Sequence, residues 1–246
     1  MNYISTSANI GKNIVIGKFS VVEDEVSIGD NCVIGHNVVI HKGTIIGKNV
    51  RIDSNTVIGK TPMRSPNSIF KDEQTYKNAY ISDDCLIGAG VIIYCGCEIG
   101  DKCLVADLST IREDVTIGSN TIIGRGVAIE NFCKVGSKCK IETNVYITAY
   151  STIEDFVFIA PGVVTSNDNF ASRSKERFKH FKGVTIKKGG RVGAQATILP
   201  GKVINEEAFV AAGSVVTKDV NFKEMVKGNP AKFFKIVADD QLLENQ

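Results

Sequence analysis

Residues 111–129 read Ile111-Arg-Glu-Asp-Val-Thr-Ile117-Gly-Ser-Asn-Thr-Ile-Ile123-Gly-Arg-Gly-Val-Ala-Ile129, four isoleucines spaced six apart. A period of six matches neither the 3.6-residue turn of a helix nor the two-residue alternation of one long strand. It matches a chain that bends after every short strand. Outward from this stretch the register runs back to Ile81 and forward to Thr165. Two further blocks, Ile4 to Ile58 and Ile186 to Val216, bring the count to 31 hexads, of which 30 open on Ile or Val. Self-similarity at a fixed period decides the fold class before any local propensity.

The second position of the hexad is often glycine (Gly100, Gly118, Gly136), which suits a corner through its tolerance of unusual dihedrals and close approach. The fifth is small or β-branched (Val38, Thr56, Cys85, Thr121, Ala196), which suits a half-buried flat face. Each hexad therefore reads as a short strand with two inward side chains and then a corner. Three hexads close a triangular coil of 18 residues, so the chain predicts an all-β parallel β-helix of about ten turns. At ~4.8 Å per coil it would be roughly 50 Å long. Six of the seven cysteines (Cys32, Cys85, Cys97, Cys103, Cys133, Cys139) fall at the inward fifth position and read as small buried hydrophobes, leaving Cys95 at a corner.

Composition agrees with a globular chain: 246 residues, 43% apolar, net charge +2. The charge argues against a nucleic-acid surface. No run of about 18 apolar residues is present for a membrane span. No basic start followed by an apolar run marks a secretory signal, so a cytoplasmic location is expected. The repeat occupies 1–221, interrupted by loops at 61–80 and 167–185. The segment 222–246 loses the period, and Met225, Phe233, Phe234, Ile236, Val237, Leu242 and Leu243 predict a short helical cap over the open end.

The [Ile/Val]-Gly-x-x-small-x pattern resembles the left-handed β-helix acyltransferases, and that resemblance alone implies the left hand, since parallel crossovers are otherwise right-handed. Val210-Ala-Ala-Gly-Ser-Val-Val-Thr-Lys-Asp-Val220 and Gly228-Asn-Pro-Ala-Lys232 look like the end of an acetyl-CoA-dependent member. Lys140-Ile-Glu-Thr-Asn-Val-Tyr-Ile147, Ile153-Glu-Asp-Phe-Val-Phe-Ile-Ala-Pro161 and Thr165-Ser-Asn-Asp-Asn169 are similar to the branch that N-acylates dTDP- or UDP-linked aminodeoxy sugars. The resemblance implies acyl-CoA as co-substrate, acetyl-CoA first, with no metal. It also implies a homotrimer with active sites between subunits and a small-molecule nucleotide sugar as partner.

Site residues follow from phase. In the central block one corner column reads Tyr94, Arg112, Glu130, Thr148, Ser166, with no glycine, and runs into Asn167-Asp168-Asn169. A corner that forgoes glycine carries a conformational cost and is expected to put side chains into a cleft. Glu130 on that column, with Asp107 and Glu142 on the neighbouring one, are the candidates to hold an amine and take its proton. Arg112, Thr148, Asn167, Asp168, Asn169 and His180 are the expected substrate contacts. The loops add Pro62, Met63, Arg64, Pro66, Phe70 and Tyr76, then Arg173, Lys175, Arg177, Phe178 and Phe181, a mixture suited to phosphates. Gly193, Ala194, Ala211, Ala212 and Gly213 would offer backbone amides to pantetheine and one to the oxyanion. Lys218, Lys227 and Lys232 would meet coenzyme phosphates, and Pro230 lies in the Gly-Asn-Pro-Ala segment that, in such relatives, lines the coenzyme groove.

The histidines bear on the acceptor. O-acetylating relatives use a histidine base just after the hexad that precedes the external loop, where this chain has Asn167-Asp168-Asn169. An amine needs less activation than a hydroxyl, which favours N-acylation. An O-acetyltransferase would have to use His180 or His41. A β-helix carbonic anhydrase would need three histidines on zinc, yet His36 and His41 are five apart and His180 lies in a distant loop. A non-catalytic scaffold on the same solenoid is disfavoured by the coenzyme-type end and the inserted loops.

Overall fold

The computed structural model describes residues 1–63, 65, 66 and 75–246. Arg64 and Phe70 of the first loop lie outside the described residues. All 31 hexad openings are the second residue of a strand, from Tyr3–Ile4 to Val215–Val216. Successive strands belong to three different sheets, so each strand up to Thr197–Ile198 pairs in parallel with the strand three places on, as in Ile111↔Ile129 and Ile129↔Ile147. Three stacks result, of eleven, ten and twelve strands, here faces A, B and C in the order the chain visits them. The hexapeptide repeat motif, through the family it resembles, supports a left-handed coil. Both loops leave the register intact: Ile46 pairs with Ile81 across the first and Ile153 with Ile186 across the second.

The opening Ile or Val of each hexad points inward, and Ile40, Ile58, Ile93, Ile123 and Ile147 are wholly buried. They stack along the axis as a continuous column, where each buried aliphatic side chain is worth about 1.5–3 kcal/mol of transfer. The fifth-position residues do more than fill space. Thr121 Oγ1 donates to the carbonyl of Gly136 at 2.9 Å, and Cys133 Sγ to that of Thr148 at 3.1 Å. Small residues with a donor thus serve corner carbonyls that the ladders leave free.

The corners work differently from the expectation. Positive φ falls two residues beyond the glycine position, at Asn31, Asn49, Asn120 and Asn144, residues that tolerate the left-handed region. The second-position glycine answers a steric demand: a Cβ at Gly118 would sit 2.6 Å from the Gly136 carbonyl carbon. The C-terminal cap also differs. It is an antiparallel hairpin, Glu224–Lys227 with Lys232–Ile236, followed by two 3-10 turns, rather than a helix. Its first strand continues face C by pairing Val226 with Val210, so the open edge is closed by added strands.

Candidate active site

Three corner columns run the length of the solenoid, and one differs from the other two. Between faces A and B the second position holds Tyr94, Arg112, Glu130 and Thr148. The residue after each, at a surface corner elsewhere, is buried over four successive coils: Cys95 at 5% exposure, Glu113 at 0%, Asn131 at 6% and Ala149 at 9%. The second inserted loop folds back over this corner. Asp168 shapes it by accepting the backbone N–H groups of Phe170 (2.8 Å) and Ser172 (2.9 Å) and facing Arg177 at 3.4 Å. Those N–H groups hold the Asp168 carboxyl below the ordinary range, Arg177 adding to them.

A cavity of about 330 Å³ lies between corner and loop, with Glu130, Asn131 and Thr148 on the coil side and Asn167, Asp168 and Arg177 on the loop side. Tyr146 and Tyr150 also line it, and Tyr150 stacks on Phe132 with ring centroids 5.4 Å apart. Glu130 Oε2 lies 3.7 Å from Arg112 Nη1. Burial lifts the Glu130 carboxyl above the ordinary carboxylate range; Arg112 draws it partly back and Glu113 adds to the lift. A carboxyl so placed accepts a proton more readily than one in water.

The phase argument thus brings Glu130, Arg112, Thr148, Asn167 and Asp168 to one place. Asn169 and His180 are exposed outside the cavity lining, His180 stacking on Phe170 at 5.8 Å. Asp107 and Glu142 sit on the corner between faces C and A, and Asp107 Oδ1 accepts the Ala89 N–H at 2.8 Å as a coil-to-coil link. Glu113, Asn131, Tyr146 and Tyr150 are the lining or supporting residues that phase alone missed. A column of buried Cys, Glu, Asn and Ala at a position reserved for surface corners was the available signal.

The expected coenzyme residues divide. Gly193 approaches the next coil so closely that a Cβ would meet Ala212 N at 2.5 Å, so its glycine is required by stacking. Gly213 has φ +67° and open space around its Cβ direction. Both, with Ala194, Ala211 and Ala212, lie on the corner between faces C and A. Lys218, Pro230 and Lys232 line a separate cavity of about 300 Å³ under the terminal hairpin. Lys227 is instead placed over the Phe234 ring at 3.5 Å. Among the described residues no three of His, Cys, Asp or Glu gather to hold a metal ion. Nor is any helix among them long and apolar enough to cross a membrane.

Comparison with known proteins agrees with the coil. The bacterial transferase hexapeptide (six repeats) family matches residues 7–42, 78–113 and 96–131, and the hexapeptide repeat of succinyl-transferase matches 25–60. The chain is similar to dTDP-3-amino-3,6-dideoxy-alpha-D-galactopyranose 3-N-acetyltransferase of Aneurinibacillus thermoaerophilus, 44% identical over 52 residues, which is 21% of this chain and 27% of that protein. It is also similar to mitochondrial gamma carbonic anhydrase 2 of Arabidopsis thaliana, 38% identical over 63 residues, 25% of this chain and 23% of that one. The matched stretches span about a quarter of each of these two relatives. The solved Arabidopsis UDP-N-acetylglucosamine acyltransferase superposes with a TM-score of 0.66 over 96% of this chain and 72% of its own, at 17% identity, a likeness of fold alone. Repeat, coil and profile agree that over the matched segments the chain carries the hexapeptide repeat of the bacterial transferases.

Proposed function

We propose that the protein transfers an acetyl or other short acyl group from acyl-CoA to the amino group of a dTDP- or UDP-linked aminodeoxy sugar. The observation that carries this reading is Glu130, a carboxyl lifted in proton affinity at the floor of a loop-covered cleft whose described lining contains no histidine. Such a site suits a nucleophile that arrives as an ammonium ion. The N-acetyltransferase named above, similar to this chain over 52 residues, acts by its name on a dTDP-linked amino sugar.

The chemistry is direct. Glu130 holds the ammonium, which loses one proton to solvent, and the freed nitrogen lone pair attacks the thioester carbonyl carbon; Glu130 then takes the second proton from the positively charged nitrogen of the tetrahedral intermediate. The tetrahedral intermediate collapses with loss of the carbon–sulfur bond. The coenzyme leaves as thiolate and takes the proton that Glu130 received. A backbone N–H from the small-residue corner stabilises the oxyanion. Arg177 and the neighbouring loop cations suit the sugar-linked diphosphate.

The coenzyme corner and the cleft corner are different edges of one chain, which supports a trimer. The outward residues of face A from the second coil on include Val21, Val39, Val57, Ile92, Thr110, Ala128, Tyr146 and Val164, and those of face C include Val33, Leu86, Leu104, Ile122 and Phe158, interrupted by Arg51, Lys140 and Arg191. Face B is more polar, offering Ser27, Glu98, Thr116, Lys134, Thr152 and Thr185 beside Ile45, Tyr80 and Val203. The two more apolar faces, meeting at the Gly193–Gly213 corner, are what a neighbouring copy would cover. A ring in which that corner of one copy closes the cleft of the next brings Gly193, Ala194, Ala211, Ala212, Gly213 and Glu142 toward Glu130. Gly193 lies two coils beyond Glu142 on its corner, about 10 Å, a span that extended pantetheine covers.

The test is thiol release from acetyl-CoA against dTDP- and UDP-linked 3- and 4-amino sugars, with hydroxyl-only sugars as controls. Release that requires the amine is expected. Release with the hydroxyl sugars alone overturns the reading and points to His180 as base.

A further inference from the structure

Behind Glu130 stands a second carboxylate. Glu113 is wholly buried, and its two oxygens accept Arg112 Nε–H at 2.8 Å and Nη2–H at 3.2 Å. The Arg112 guanidinium also lies over the Tyr94 ring at 4.9 Å, with Lys60 over the same ring at 5.1 Å. One edge and one face of the guanidinium are thereby held. The remaining nitrogen, Nη1, lies 3.7 Å from Glu130 Oε2, a distance of charge attraction and not of a hydrogen bond.

A buried ion pair is a poor stabiliser, since desolvation offsets much of its attraction. Nor does the fold demand one here. The equivalent position on adjacent coils holds Cys95, Asn131 and Ala149, all buried without a carboxylate. The pair therefore needs a reason other than stability. We infer that Glu113 is a positioning residue: it clamps Arg112 so that one guanidinium edge stays against Glu130 and governs its charge. This rests on Glu130 being the proton acceptor of the proposed reaction.

The groups that face Glu130 are Arg112 and Glu113 from the preceding coil, Tyr146 from the next, Cys133 beneath it, and Asp168 and Arg177 across the cleft. Among the first two, Arg112 draws its proton affinity down and Glu113 pushes it up. Removing one or the other must then move Glu130 in opposite directions.

The experiment follows the 13Cδ resonance of Glu130 against pH in the substrate-free protein, assigned by its loss in Glu130→Gln, and compares it with the pH profile of kcat/KM. Glu113→Gln keeps the shape and removes the negative charge, so the Glu130 midpoint moves to lower pH. Arg112→Met removes the cation, so the midpoint moves to higher pH and plateau kcat/KM falls about 10–100-fold. Arg112→Lys keeps the charge and loses the fork that Glu113 grips. A clamp predicts a midpoint displaced toward that of the Met variant, and an unmoved one overturns the inference. That third variant decides the matter even if Glu113→Gln does not fold. Midpoints that stay put in all three, or all move one way, also overturn it. Midpoints that move as expected while the rate profile does not would leave the clamp standing and remove Glu130 as proton acceptor.

Discussion

At the scale of single residues, Glu130 is held in a state the fold does not favour. Its proton affinity is raised by burial, so the part of stability it governs is present below the ordinary carboxylate range. That part is lost as pH rises through its higher folded value. At pH 7 the ionised side chain therefore weighs against folding. Glu130→Gln is expected to raise Tm by about 1–3 °C at pH 7, with the gain vanishing below about pH 4, and to lower kcat/KM by about 10²–10⁴. Thermal melts at two pH values beside steady-state rates check both signs. The phase of the repeat made Glu130, Arg112 and Thr148 legible as one column. It did so for a reason only half right. The same edge forgoes glycine at Ser5, Glu23, His41 and Leu199 too, Gly59 being the exception, so the missing glycine marks an edge that elsewhere has room for a Cβ, and the loop over it makes the cleft. Glu113 and Asn131 were hidden because a third-position residue reads as surface until something covers it. Asp107, read as a base, is occupied in linking coils.

At the scale of elements, a two-residue strand has almost no stability of its own and exists because the coils above and below complete its ladder. The corner glycines set how closely those coils approach. Gly118→Ala would press a Cβ to 2.6 Å from the next coil's backbone and is expected to cost about 1–3 kcal/mol. Gly213→Ala meets nothing within 4 Å and carries only the strain of φ +67°, about 1 kcal/mol. Urea melts of the two variants separate steric from torsional roles. All 31 strands could be placed from sequence because the period repeats so often that local noise averages out. The cap could not. The apolar positions between Met225 and Leu243 are too few to define a period, and Phe233, Phe234 and Ile236 are exposed in the single chain, so no buried face imprinted a pattern on them.

At the scale of the whole molecule, the chain is a triangular prism whose face A is the most apolar and whose face B is the most polar. Ala128→Glu on face A is expected to break the proposed trimer into monomers and abolish turnover, whereas Thr152→Glu on face B leaves both intact. Light scattering behind a sizing column reads the first and thiol release the second. A trimer that survives Ala128→Glu would place the contact elsewhere. Coil handedness lies beyond periodicity, because a mirror-image prism would show the same spacing of six, and only kinship supplied it. The thiols along the axis offer one more use. Burial pushes Cys97 and Cys133 to about 12 and Cys139 to about 11, so an alkylating reagent that consumes thiolates finds almost none at these three while the coils are closed. Solenoid stability is close to a sum of repeat and nearest-neighbour terms, and an end coil has one neighbour where an inner coil has two, so opening is expected to start from the ends. The cysteines, set at intervals from Cys32 to Cys139, are then silent tags on successive rungs. A brief iodoacetamide pulse across a urea series, read by peptide mass, should mark Cys32 first and Cys97 late, writing the order of unzipping into the chain as permanent chemistry.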